Sequence, residues 1–116
     1  MKFLHTADLH LGRFLENRSR AGEQEEMLAE IAALAEAEAV DLALLAGDIF
    51  DSFIPPAWAE ALFYDFLIRL SKGGQRPVVV IAGNHDQPER LTAAAPLAAR
   101  QQIHILGKPE LVSLDL

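Results

Sequence analysis

The chain has 116 residues, 51% of them hydrophobic, with no cysteine and a formal net charge of −7. That size and apolar content suit one globular domain with a moderate core and exclude a disordered chain. The lack of cysteine excludes a disulfide framework and a thiolate metal site, and the negative charge argues against nucleic acid unless bound cations reverse it locally.

Phe3 to His5 is a short β-prone opening run. Polar residues interrupt it at once, so no signal peptide is expected, and no apolar run is long enough to span a bilayer. The expected location is the cytoplasm. Gly22 to Ala39 reads as a helix, with Leu28, Ile31, Ala32, Ala35 and Ala39 at helical spacing. Glu23, Glu25, Glu26, Glu30, Glu36 and Glu38 form its solvated acidic face. Asp41 to Ala46 is a continuous apolar run whose length suits a strand buried on both faces.

Pro55-Pro56 opens a second helix, 56–71, which stops at Lys72-Gly73-Gly74. Trp58, Leu62, Phe63, Tyr64, Phe66, Leu67, Ile68 and Leu70 cover most of its circumference. Such a helix is enclosed by the sheet and a neighbouring helix, or it leaves a patch for a partner. Pro77 precedes the strand Val78 to Ala82, Pro88 to Arg100 is a third helix, and Ile103 to Leu106 is a fourth strand. Leu111 to Leu116 offers a fifth. The alternation predicts an α/β fold: a largely parallel sheet with right-handed crossovers and flanking helices on both faces.

Three polar clusters stand where strands should end: Asp8-Leu9-His10, Gly47-Asp48-Ile49-Phe50-Asp51 and Gly83-Asn84-His85-Asp86. Ligands of open α/β sheets bind at those carboxyl ends. Asp8 and His10, two apart, point to the same side of an extended backbone and can grip one cation. Asp48 follows a glycine that permits a sharp turn, and its two oxygens can bridge two metals. Asp51 is assigned a structural or ligand-orienting role. The Asn84 side-chain carbonyl is a hard donor suited to Mg²⁺ or Mn²⁺. His85 can protonate a leaving oxygen beside it. Asp86 can hold His85 or cap the helix that Pro88 helps start. Each cluster alone also reads as an ordinary turn; three at adjoining strand ends point to a metal site for phosphate esters. His5 and His104 read as structural strand residues. No Gly-x-Gly-x-x-Gly follows the first strand, which excludes a dinucleotide domain.

The blocks Asp-x-His, Gly-Asp-x-x-Asp and Gly-Asn-His-Asp resemble those of the calcineurin-like metallophosphoesterases. The surrounding words, Leu4-His5-Thr6-Ala7-Asp8-Leu9-His10-Leu11-Gly12-Arg13 and Gly83-Asn84-His85-Asp86-Gln87-Pro88-Glu89-Arg90-Leu91, are similar to the DNA-nuclease branch of that family. The resemblance covers nearly the whole chain. It implies a four-layer fold and two divalent metal ions, usually Mn²⁺, with Asp8 and His10 on the first, Asp48 bridging and Asn84 on the second. It also implies a catalytic His85, in-line attack of water on phosphorus, a DNA substrate and an SbcC-type ATPase as partner. Homodimerisation through helix 56–71, and through helix 88–100, follows from the same likeness. The family's later lone histidine and Gly-His-x-His block have no match, so residues 1–116 are expected to be the N-terminal part of a nuclease domain. Weak metal binding and little turnover are expected of them. The alternatives are a phosphoesterase for small phosphomonoesters or cyclic nucleotides, and an inactive dimerising fragment.

Overall fold

The computed structural model describes residues 1–12, 14–15, 18–19, 21–52, 54–83, 86–108 and 111–114, with backbone alone at 14–15 and 18–19. Four parallel strands form the central sheet: β1 (Phe3–Ala7), β4 (Leu42–Ala46), β5 (Val78–Ile81) and β6 (Ile103–Leu106), in that spatial order. Between β1 and β4 lie a minimal antiparallel pair, β2 (Phe14–Leu15) and β3 (Arg18–Ser19), and helix α1 (Ala21–Ala37). Helix α2 (Ala57–Ser71) joins β4 to β5. The short helices α3 (Pro88–Leu91) and α4 (Ala95–Ala98) join β5 to β6.

Strand order follows chain order across the sheet, so successive right-handed crossovers all fall on one side. Burial agrees. Ala43, Leu45, Val78, Val80, Ile103 and Ile105 are buried beneath the helices. Their alternating neighbours Leu42, Leu44, Val79 and Leu106 are half-buried, and Phe3 and Ile81 are exposed. The described helices therefore share one face, and β4 is buried on one face rather than two. Both points correct the sequence expectation: a run of apolar residues carries no record of which face has a covering layer.

Helix α2 is enclosed much as its composition requires. Phe63, Phe66, Leu67 and Leu70 are buried between the sheet and α1, whose Leu28 and Ala35 join the same core. Each such side chain contributes about 1.5–3 kcal/mol on burial. Ile68 remains 57% exposed.

The predicted helix 88–100 is broken. Pro96 has no amide to give the Thr92 carbonyl four residues back, and its ring would clash there. The chain instead turns at residues 92–94, where the Ala95 amide donates to the Thr92 carbonyl at 2.9 Å. Residues 111–114 form no strand, and 115–116 lie outside the described residues.

At the amino ends of the strands, Arg76 is buried. Its guanidinium donates to the carbonyls of Val40 (2.7 Å), Leu70 (3.1 Å) and Ala35 (3.4 Å), and to the Glu36 carboxylate (3.0 Å). It thereby satisfies terminal carbonyls of α1 and α2 at once, where a positive charge also complements both helix dipoles.

Candidate metal centre

The site forms where β1, β4 and β5 end together. Pairing between the first two continues into their loops: the Asp8 amide donates to the Gly47 carbonyl (3.1 Å), His10 to Asp48 (3.0 Å) and Leu11 to Ile49 (2.9 Å). The Asp51 amide returns a bond to the Leu11 carbonyl at 2.8 Å. The first two clusters are thus laced into one double loop by backbone bonds.

That lacing holds an unusual backbone. Asp8, His10 and Asp48 have φ of 55°, 48° and 45°. For non-glycine residues this left-handed region costs roughly 1–2 kcal/mol apiece, and such residues gather at functional sites. The extended-strand expectation for Asp8 and His10 is therefore corrected. Their side chains do meet, but through two left-handed turns rather than strand alternation.

One donor atom from each of Asp8, His10 and Asp48 lies within 4.8 Å of the others. Asp8 is exposed, while His10 and Asp48 are half-buried. The Asp51 carboxylate stands 3.5 Å from His10 Nδ1. Two carboxylates and one imidazole so gather in a small volume, with a third carboxylate beside the imidazole, a donor set for a divalent cation. Ligands on opposite sides of an ion bonded at about 2.2 Å are about 4.4 Å apart, so the three donors fit one ion with little movement.

The third loop is fitted tightly against the second. A Cβ on Gly83 would come within 2.1 Å of the Asp48 backbone nitrogen and 2.7 Å of Gly47 Cα. Only glycine permits that approach. Asp86, 3% exposed, lies under the junction. Its Oδ2 accepts from the amides of Gly83 (2.8 Å) and Ile49 (3.1 Å), and its Oδ1 from the Phe50 amide (3.0 Å). Both oxygens face the second loop. The cap of α3 is Gln87, which makes no side-chain capping bond, so Asp86 does not serve as that helix cap. Asn84 and His85, the predicted second-metal ligand and catalytic residue, lie outside the described residues.

Two supports had no clear signal in the sequence. Gln24, buried in the first turn of α1, accepts from the Gly12 amide at 2.9 Å and ties the first loop down. Phe50 packs edge-on against Phe63, centroids 5.5 Å apart, which anchors the second loop on α2. A glutamine among glutamates and a phenylalanine after an isoleucine look ordinary until partners 12 or 13 residues away are placed beside them.

A parallel α/β sheet carrying carboxylate and imidazole side chains at adjoining strand ends has the make-up of a metal-dependent phosphoesterase. Residues 1–110 match the calcineurin-like phosphoesterase family, and the chain belongs to it. It is similar to the SbcD component of nuclease SbcCD from Bacillus subtilis (strain 168), with 53% identity over 109 residues, covering 94% of this chain and 28% of that protein. The corresponding protein of Rhodobacter capsulatus is 38% identical over 108 residues, covering 92% of this chain and 27% of the relative. That of Escherichia coli (strain K12) is 36% identical over 99 residues, covering 85% and 24%. The chain thus spans about a quarter of the length of these curated relatives. Among the described residues, no helix is long and apolar enough to cross a membrane.

Proposed function

We propose that this chain supplies part of a two-metal phosphodiesterase centre that hydrolyses DNA. The observation carrying this is the convergence of Asp8, His10 and Asp48, with donor atoms within 4.8 Å. In this reading Asp8 and His10 hold the first ion, Asp48 spans both, and Asn84 serves the second. Asp51 orients the His10 imidazole from 3.5 Å. His85 acts at the scissile phosphate, where an imidazole can protonate the leaving oxygen. Bound divalent metal, Mn²⁺ before Mg²⁺, would lower the pKa of a water and neutralise charge on the phosphoryl group.

The substrate class rests on the relatives, which are named nucleases. The chain's net charge of −7 is no bar, because cations at the site reverse the local field. We place the chain as the N-terminal part of a cytoplasmic nuclease domain in DNA repair and recombination, beside an SbcC-type ATPase. The remaining metal ligands come from further sequence, so the 116 residues alone turn over little. Homodimerisation uses the outer surface of α2 and the region 88–100, where Ile68 and Leu97 are exposed.

Calorimetric titration with Mn²⁺, beside assays on linear duplex DNA and on nitrophenyl phosphate, tests this. Weak Mn²⁺ binding that disappears in Asp48→Ala is expected, with DNA cleavage restored only when the longer nuclease sequence is present. No Mn²⁺ binding by the wild type would refute the metal centre. Robust cleavage by the 116 residues, abolished by His85→Ala, would refute its incompleteness.

A further inference from the structure

We propose that Asp86 is the positioning residue that sets the metal-ligand loops in place before any metal arrives. This rests on the metal centre proposed above, but it assigns the task to a residue that touches no ion.

Asp86 has no solvent-facing role, being 3% exposed. Its two oxygens collect three backbone amides from two different loops: Gly83 from its own, Ile49 and Phe50 from the loop of Asp48 and Asp51. Its own amide donates to the Gly83 carbonyl at 3.2 Å, closing the third loop on itself. Ile49 and Phe50 directly follow Asp48, whose φ of 45° must be sustained by its surroundings. Buried hydrogen bonds from the next two amides to a carboxylate supply that restraint. Gly83 completes it by leaving no room for Asp48 to slide toward the third loop. The bridging ligand's position is therefore fixed from below by Asp86 and from the side by Gly83.

The use of both oxygens makes asparagine a sharp probe. In either orientation of the introduced amide, its NH₂ group faces at least one backbone N–H where an acceptor stood. Asp86→Asn keeps the volume and breaks at least one of the three bonds of the clamp.

The test has two arms on the 116-residue chain. In the first, amide hydrogen exchange is measured on metal-free wild type. Protection at Ile49, Phe50 and Gly83 is expected; free exchange there, with protection arising only on Mn²⁺ addition, overturns the proposal. In the second, Mn²⁺ affinity is measured by calorimetry and Mn²⁺ electron paramagnetic resonance. A loss of roughly 10–100-fold is expected in Asp86→Asn, as for other groups that orient ligands. Unchanged affinity and spectrum in a folded Asp86→Asn overturn the proposal while leaving the metal centre intact. If wild type itself binds no Mn²⁺, the metal centre fails. If that happens, or if the variant does not fold, metal-free exchange alone decides whether Asp86 clamps the loops.

Discussion

Gly83 lies so close to Asp48 that a Cβ there would stand 2.1 Å from the Asp48 backbone nitrogen. The loops that follow β4 and β5 are in van der Waals contact at this point. Gly83→Ala must therefore push the loops apart. We expect a destabilisation of about 1–3 kcal/mol, as for other overpacked sites, and loss of Mn²⁺ binding. Urea unfolding within error of wild type would contradict the tight approach.

Asp8 and Asp48 offer the opposite trade. Their carboxylates share a small volume with His10, and both backbones are left-handed. Neutralising one charge relieves like-charge repulsion when no cation is present. Asp48→Asn should raise the metal-free melting temperature slightly while abolishing the rise expected on Mn²⁺ addition to wild type. A lower metal-free melting temperature in the variant would contradict the relief of repulsion, and an unchanged response to Mn²⁺ would contradict a ligand role for Asp48.

Arg76 is the stability residue of the opposite end. Arg76→Ala takes the guanidinium from the carbonyls of Val40 and Leu70 in a buried setting, while the Ala35 carbonyl keeps its bond from the Val40 amide. A destabilisation of about 2–4 kcal/mol is expected, with metal binding otherwise intact because the ligand loops are at the other end of the sheet. The urea midpoint reports it, and a change too small to measure would mean that water replaces the guanidinium.

Glu36 gives a pH signature of the same cluster. The hydrogen bond from Arg76, then that from Lys72, holds its carboxyl below the ordinary value of 4.5. A carboxylate depressed on folding contributes stability that is present above its unfolded value and is lost as pH falls through the folded one. The gap in urea midpoint between wild type and Glu36→Gln should be constant well above pH 4.5 and close below it. Its size is small, because Glu36 is exposed and screened. A gap that does not vary with pH would exclude the linkage.

Phe63 links core to site. Phe63→Ala leaves a cavity beneath Phe50 and should cost about 3–5 kcal/mol. It should also weaken Mn²⁺ binding by loosening the second loop. Full metal affinity in this variant, measured below its melting temperature, would show that the Phe50 anchor is dispensable.

By itself the sequence determined the four strands of the sheet, the two long helices and the residue types at the strand ends. Val78 to Ile81 is a strand because β-branched residues fit a pleated buried surface, and Gly73-Gly74 after Lys72 stop α2 because glycine accepts positive φ. The candidate ligands Asp8, His10 and Asp48 were legible for the same reason, since polar residues after apolar runs are a local signal. The tertiary structure decided what depends on residues far apart in the chain. Arg76 meets Val40 across 36 positions and Asp86 meets Ile49 across 37. No short window holds both partners. Only strand order could reveal that the helices share one face, and only the approach of β5 to β4 shows why position 83 must be glycine. The left-handed turns at Asp8, His10 and Asp48 belong to the same category. They are unfavourable locally, and they persist because the bonds between adjoining loops outweigh the local preference.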